Sequence, residues 1–423
     1  MKKMNETIAV LFLTLVIVMM GFGMIIPIIP FLVEEFGASG AAVGFLMAIY
    51  ALMQLIFSPI WGALSDRFGR RWILLLGILG NSLAMIFMGL STSLTMLFLS
   101  RMLAGMLASA TIPTSYAIIA DSTDSKDRGW GMGMLGAAMG AGMVVGPGIS
   151  GWLVEQAETW GLAGQFSPAL NSYLVERHLF IPFLISALFS FASMIVVYFM
   201  LPESLPPEER PVTAEISVVG QFKDMWQAMF GPLSFLLGLA FLVSFGLTGF
   251  EGVFSLFAEH RYQYGPREVG MLLTMVGLVS AIAQGGFIGP LTRKFGEENV
   301  VKYSLLSSAV GFILMLLAYD KLTVYLFTGF FVFSNAMIRP GVASLTSQRS
   351  ETGQGSAMGL NNSFMSLGRV FGPTISGTIF DINLHYPFIL GSVLTFAGFV
   401  LCMFLLVPKR AEELKKTPPT PAS

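Results

Sequence analysis

The sequence predicts an all-α membrane protein of twelve spanning helices, arranged as two six-helix repeats. Three observations predict it. The first is composition: of 423 residues, 54% are hydrophobic and 12% charged, and mean hydropathy is +0.74. A soluble domain carries about 25% charge, so this chain could not cover a water-facing surface with solvated groups. The second is a series of apolar runs of about 20 residues, the length a helix needs to cross a bilayer. The runs do not alternate, so helices rather than barrel strands satisfy the backbone in lipid. The third is internal repetition. Gly62-Ala-Leu-Ser-Asp-Arg-Phe-Gly69 returns as Gly289-Pro-Leu-Thr-Arg-Lys-Phe-Gly296, and Pro113 as Pro340, both 227 positions later. Gly146-Pro-Gly-Ile-Ser-Gly151 returns as Gly372-Pro-Thr-Ile-Ser-Gly377, 226 later. Landmarks at one offset mark two copies of one unit.

The spans fall at about 7–29, 43–64, 72–92, 95–120, 130–153 and 179–201, then 232–257, 268–291, 300–319, 322–347, 354–379 and 386–407. Lys2 and Lys3 resemble the start of a signal peptide. The apolar run behind them continues through Pro27 and Pro30 with no cleavage site, so it is retained as the first span. Orientation follows the Lys/Arg bias. Of the 24 Lys and Arg residues, seventeen fall on inside segments and four on outside loops when the N-terminus is inside. Arg101, Arg339 and Arg369 fall within spans. Both termini are therefore expected in the cytoplasm. The expected organisation is an N-terminal half (1–201), a cytoplasmic linker (202–231), a C-terminal half (232–408) and a cytoplasmic tail (409–423). The linker is polar and Pro-rich and reads as a tether, with a short surface helix at Val218–Met229 as an option.

Composition also excludes function classes. Net charge is −1 and no basic stripe exists, so nucleic acid is not an expected partner. Cys402 is the single cysteine, which leaves no intramolecular disulfide or CxxC site. His178, His260 and His385 are far apart in sequence, so no metal cluster is expected. No GxxxxGK[ST] motif marks an ATP site, and no protease-like set of Ser/His, paired Asp or zinc ligands sits inside spans. A membrane protein that is not an enzyme and needs no cofactor is what remains.

Gly62, Asp66, Arg67, Gly69, Arg70 and Arg71 form a loop motif at the inner end of span two. Glycines there permit a tight turn, and Asp66 can accept bonds from an arginine or a helix N-terminus. A latch and a plain positive-inside anchor both fit the cluster. Gly142, Gly146, Pro147, Gly148 and Gly151 stripe span five, with Gly136 and Gly140 before them. Small residues allow close helix approach, and Pro147 removes a helical N–H and should bend the helix. The stripe fits a movable seam and also static packing.

These motifs resemble the major facilitator superfamily. The span-two loop is similar to that family's loop signature, the span-five stripe to the signature of its twelve-helix drug:H⁺ antiporters, and Arg101-x-x-x-Gly105 to that branch's buried-arginine motif. Ser244-Phe-Gly-Leu-Thr-Gly-Phe-Glu251, Met337-Ile-Arg-Pro340 and Gly359-Leu-Asn361 resemble the NorA/Bmr-type bacterial multidrug exporters. The resemblance implies export of drugs or hydrophobic cations in exchange for protons, in a bacterial plasma membrane. Small-molecule drugs, protons and membrane lipid are then the partners, and a monomer is expected. A narrower exporter, for a tetracycline-like antibiotic or a metabolite, and a lipid flippase of the same fold are the alternatives. A parallel repeat places the substrate path near the bilayer midplane, between the halves.

Within that frame the intramembrane charges are candidates for proton coupling. Glu251, flanked by Phe250 and Phe254, is the clearest, because an ionisable group in a span is costly and usually functional. Arg101 and Arg339 follow, with Arg101 alternatively reaching the interface. Arg339 beside Pro340 is expected deeper in the membrane. Arg369 is a weaker candidate, on a packed face. NorA-type exporters carry an aspartate three residues before the arginine matching Arg339. Here that position is Ala336, preceded by Asn335, so Glu251 is expected to act alone or with Glu34 or Glu35. Glu259, His260 and Arg261 read as a solvated loop. Gln54 and Asn361 match positions that line the path in the resembled family; Tyr50, one turn before Gln54, shares its face and is a weaker candidate, and Phe254 is an aromatic candidate for the same path.

Overall fold

A computed structural model of the chain describes residues 2–124, 127–210, 218–350 and 353–406. The expected tail, 409–423, lies outside the described residues. All regular structure among the described residues is helical. Twelve long helices follow in order: α1 (Lys2–Glu35), α2 (Gly40–Phe68), α3 (Arg70–Gly89), α4 (Leu94–Ser122), α5 (Arg128–Leu162) and α6 (His178–Met200). After the linker come α7 (Ser234–Tyr262), α8 (Pro266–Phe295), α9 (Glu297–Leu317), α10 (Lys321–Gln348), α11 (Gln354–Phe380) and α12 (Tyr386–Leu405). Each expected span overlaps one of these helices.

Eleven of the twelve are long and apolar enough to cross a membrane. The exception is α11. At 27 residues it is about 40 Å long, but Gln354, Asn361, Asn362 and its serines and glycines dilute its hydropathy. Several helices run beyond the expected ends. An apolar window marks only what sits in hydrocarbon, whereas helical hydrogen bonding continues into the headgroup layer and stops where capping stops it. Asp320 and Thr323 form a reciprocal capping box at the start of α10. Bonds from the Thr323 hydroxyl and N–H hold the Asp320 carboxyl below its ordinary range. The α4 helix tightens to a 3₁₀ turn at Ala108–Ala110, and α8 widens to a π turn at Ala283–Phe287.

Contacts divide the chain into two compact units whose borders cut through helices. Among the described residues, the first holds those up to 222 with 249–278 and 369–384, and the second those of 223–248, 279–368 and 385–406. The repeat describes two six-helix halves, but the outer ends of α7, α8 and α11 pack with α1–α6 in the first unit. Its core joins Leu11 and Leu15 of α1, Leu74 and Ile78 of α3, Ile118 of α4, Leu135 of α5 and Val197 of α6. The second unit's core joins Leu237 and Val243 of α7, Leu305 of α9, Ile338 of α10, Phe364 of α11 and Cys402 of α12.

The linker is more than a tether. A surface helix forms at Val218–Ala228, and Met225, 4% exposed, plugs into the second unit's core. Trp226 and Phe230 of this segment stay exposed with their rings 5.6 Å apart. The linker's first residues, from Glu203, fold back onto the start of α3.

Candidate functional site

The inner loop joins α2 to α3 in a single residue. Gly69 has φ +101°, a conformation that L side chains rarely adopt. A Cβ there would also meet the Glu203 carboxylate and Arg210 Nη2, the latter at 2.7 Å. Arg70 pairs with Asp66 and, through Nε, with Asp121 at 3.1 Å. Glu203 accepts from the N–H of Arg70 at 2.9 Å and of Arg71 at 3.3 Å, and so caps the positive end of α3. Arg71 donates to the Tyr198 carbonyl and lies over the Tyr198 ring at 5.3 Å. Arg67 is exposed, 5.3 Å over Phe68. The latch residues are thus a network whose two other carboxylates, Asp121 and Glu203, lie about 50 and 130 positions away. The available signal was positional: both acids stand at the inner ends of spans, beside the basic loop.

Gly62, by contrast, has nothing within 4 Å of a would-be Cβ. Gly69→Ala should therefore cost about 1–3 kcal/mol and lower the melting temperature in detergent, while Gly62→Ala leaves it unchanged. Equal effects of the two substitutions would refute the strained-turn account.

Deeper in the first unit, Arg101 is 1% exposed. It does not reach the interface. Its guanidinium lies 4.5 Å from the Tyr50 ring centroid and 5.8 Å from that of Phe22, and Phe22 and Tyr50 are themselves 5.2 Å apart. Nε donates to the Leu46 carbonyl at 3.4 Å, and Nη1 finds no acceptor. Two aromatic faces thus hold a buried cation in place of a carboxylate. Gly105 makes this possible, because a Cβ there would stand 2.6 Å from the Tyr50 carbonyl oxygen. Gln54 is half-buried one turn on from Tyr50.

Glu251 is half-buried on α7 in the same unit. Phe250 and Phe254 beside it are 2% and 1% exposed, with rings 4.6 Å apart. In the second unit, Arg339 is exposed. With Asn361, Val243 and Met365 it lines a crevice too tight for a water molecule. Asn361 is buried, its Nδ2 3.5 Å from Met365 Sδ and its Oδ1 without a donor. Asn335 is buried and donates to Ser308 at 3.4 Å. Ala336 packs with Phe333, Met337 and Val300 in an apolar cluster.

The glycine stripe of α5 makes two seams. A Cβ on Gly142 or Gly146 would lie 2.5 Å from the carbonyl oxygens of Val16 and Met20 on α1. On the other side, a Cβ on Gly148 would meet Thr274 at 2.7 Å and one on Gly151 the Pro266 carbonyl at 2.5 Å, both on the outer part of α8. The copy of the motif in α11 does the same to α2: Gly44 has no room for a Cβ against the Pro373 carbonyl, and Gly377 none against that of Gly40. Repeated sequence has become repeated contact. Gly136 and Gly140 take no part, having nothing within 4 Å.

Polar ties close the ends of these seams. Asp381, just past α11, accepts from the N–H groups of Gly40 at 2.7 Å and Ala41 at 3.0 Å and so caps α2. Arg267 of α8 pairs with Glu155 of α5. A cap of this kind contributes about 1 kcal/mol. Asp381→Ala should therefore raise the population with a parted α2–α11 seam about fivefold, read as a longer spin-label distance between the outer ends of the two helices. An unchanged distribution would deny Asp381 that role.

Among the described residues, Glu34, Glu259 and His260 also converge at the outer ends of α1 and α7, their ligand atoms within 4.8 Å of one another. The expectation of a solvated loop fails for Glu259, whose Oε2 is buried. His260 is exposed, yet its ring sits 5.9 Å from that of Phe380.

The sequence relationships agree with this geometry. The chain is 35% identical over 414 residues to "Multidrug resistance protein 1" of Bacillus subtilis (strain 168), covering 96% of this chain and 98% of that protein. It is 28% identical over 400 residues to "Quinolone resistance protein NorA" of Staphylococcus aureus (strain COL), covering 95% and 96%. The fold is similar to that of a bacterial homologue of the human lysosomal transporter Spinster, with TM-score 0.76 at 16% identity, covering 95% of each chain. The Major Facilitator Superfamily model matches residues 11–349 and 260–423. With twelve long helices, two copies of the glycine motif packed in equivalent seams, and this match along the chain, the protein belongs to the Major Facilitator Superfamily.

Proposed function

We propose that the protein exports structurally diverse drugs or hydrophobic cations across the bacterial plasma membrane in exchange for protons. Near-full-length relatives bear multidrug- and quinolone-resistance names. The structural observation that carries the reading is Glu251, a half-buried carboxylate on a spanning helix between Phe250 and Phe254 in sequence, whose own rings are buried. An ionisable group there is expensive. A proton and a cationic substrate can each neutralise it, and only one does so at a time. That exclusivity is what converts inward proton flow into outward drug flow.

The remaining residues take supporting parts in this reading. Arg101, held by Tyr50 and Phe22, supplies fixed positive charge. Tyr50, Gln54, Phe254 and Asn361 are candidates to line the path, and Arg339 is a further coupling candidate. The α5–α8 and α2–α11 seams part and close at the outer side, while the Asp66–Arg70–Glu203 network governs the inner side. The chain is divided into halves at 1–201 and 232–408, acts as a monomer, and has both termini in the cytoplasm.

The test is purified protein in liposomes with an imposed pH gradient, a fluorescent lipophilic cation and an internal pH dye. The expected result is dye moving against protons, inhibited by several chemically unrelated drugs. Proton-coupled movement inhibited by one drug class alone would support the narrower exporter. Ala336, apolar-packed where NorA-type exporters have an acid, is the observation favouring that second reading. No dye movement would refute the proposal.

A further inference from the structure

The linker's surface helix, Val218–Ala228, carries an apolar face that the exchange just described does not use. At about 100° per residue, Met225, Phe222 and Trp226 fall within one arc of about 100°, and Lys223, Gln227 and Asp224 lie across the helix from it. Met225 marks which way that arc points. It is 4% exposed and shares a core with Leu233, Leu236 and Leu237 at the start of α7 and with Leu406 at the end of α12. One edge of the apolar arc is therefore turned to the spanning core, and the polar side is turned away from it. Trp226, on the other edge of the arc, is 64% exposed. Met229 and Phe230 extend the face past the helix end, and both are exposed, with the Phe230 ring 5.6 Å from that of Trp226. Lys223, Asp224 and Gln227 are exposed as well, as befits a side in water.

Chain length fixes how far this face can stand from lipid. The α7 span begins at Ser234, four residues after Phe230, and four residues reach at most about 14 Å. The headgroup layer on one side of a bilayer is itself about 5–8 Å thick. The exposed aromatic pair is thus tied to the bilayer surface, and its apolar face continues that of the spans. An indole and a phenyl ring with one side apolar and the other wet are what that depth favours. Charge adds little attraction, because Lys223 and Asp224 cancel. The tail after Leu406 leaves from the same core but is a poor cover for this face, since residues 407–423 hold six charged residues and no aromatic.

We propose that Trp226, Met229 and Phe230 form a lipid-binding face that seats the surface helix in the bilayer, at the boundary between headgroups and acyl chains. The linker is then an in-plane anchor of the second unit. Its ligand is the membrane surface, recognised by apolar and aromatic side chains and not by headgroup charge. Met225 ties the same helix to the core, so the anchor fixes the depth at which α7 enters and α12 leaves the membrane. On the orientation proposed above this is the inner leaflet, and lipid contact needs neither that orientation nor transport.

The experiment uses the full chain with Cys402→Ala, in nanodiscs of phosphatidylcholine or of phosphatidylglycerol. Asp224→Cys, Trp226→Cys, Gln227→Cys and Phe230→Cys are made singly and spin-labelled. Collisions of each label with oxygen, which concentrates in lipid, and with a water-soluble nickel chelate are then measured. The ratio of oxygen to nickel collisions should be about fivefold or more higher at 226 and 230 than at 224 and 227. It should differ by less than about twofold between the two lipids, because the face carries no net charge. Adding Trp226→Glu should bring the label at 230 down to the ratio of 227 while the protein stays monodisperse. Equal nickel collisions at all four positions would put the face in water and overturn the inference. Protection of 226 and 230 from both reagents would mean that protein covers them, with dipolar broadening marking a second copy, and would overturn it equally. Protection in phosphatidylglycerol alone would make charge the attraction and overturn recognition by apolar contact. If the liposome assay shows no transport and the collision ratios persist, the export reading falls and the lipid face stands.

Discussion

Gly44→Val and Gly151→Val are each expected to reduce gradient-driven dye export at least tenfold while leaving the protein folded in the membrane. A Cβ at Gly151 would lie 2.5 Å from the Pro266 carbonyl oxygen and 2.9 Å from Arg267 Cα, and at Gly44 it would overlap the Pro373 carbonyl. The obstruction is backbone, which cannot rotate away as a side chain can. Overpacking of this kind costs about 1–3 kcal/mol, and here the cost falls on a contact between helices that part and rejoin. It would therefore appear as a conformational bias of about five- to 150-fold toward the parted state. Gly140→Val is the control: it belongs to the same glycine run, but nothing lies within 4 Å of it, and it should leave export within about twofold. Native export by Gly44→Val and Gly151→Val, with monodisperse protein in detergent, would reduce the seams to static packing.

Glu251→Gln should abolish dye accumulation against the gradient and the accompanying internal acidification. Glutamine keeps the shape and hydrogen bonding of a protonated carboxyl but neither gains nor loses a proton. The variant is thus held in the loaded form, and drug can no longer exchange for a proton. A loss of at least tenfold corresponds to about 1.4 kcal/mol of driving force left unused. Binding of a neutral substrate should survive, because it does not need the charge. Glu251→Asp keeps a titratable group one methylene short and should retain partial coupling. If Glu251→Gln moves dye and protons together as the native chain does, Glu251 is structural and proton coupling must be sought at other residues.

Much of the architecture could be read from the chain because hydropathy and repetition are local properties. An apolar run must become a helix in lipid wherever it packs, so each span was found, although its ends were not. The α11 helix shows why one criterion is insufficient. Its glycines and asparagines dilute the apolar signal, and its copy of the span-five motif supports the assignment by a second, independent route. The candidate residues were found less evenly. Arg101 and the loop motif were visible as charges where charge is unusual. Asp121 and Glu203 escaped notice because single acids near span ends are ordinary, and only folding brings them to Arg70 and to the N–H groups of α3. Glu259 and His260 looked solvated because their neighbours in sequence are polar. Their neighbour in space, Glu34, is more than 200 positions away.

The sequence by itself determined the membrane environment, the helical class, the twofold repeat and the family, since each depends on residue type and spacing along one chain. Tertiary structure alone decided which glycines are seams and which merely face open space, because that depends on what lies across from them. It also decided that Arg101 is buried against aromatic faces, while Arg339, matched to it only by charge, is exposed. Burial and pairing are properties of position in space, and two residues of one type in similar apolar runs are assigned different chemistry only when their neighbours are in place.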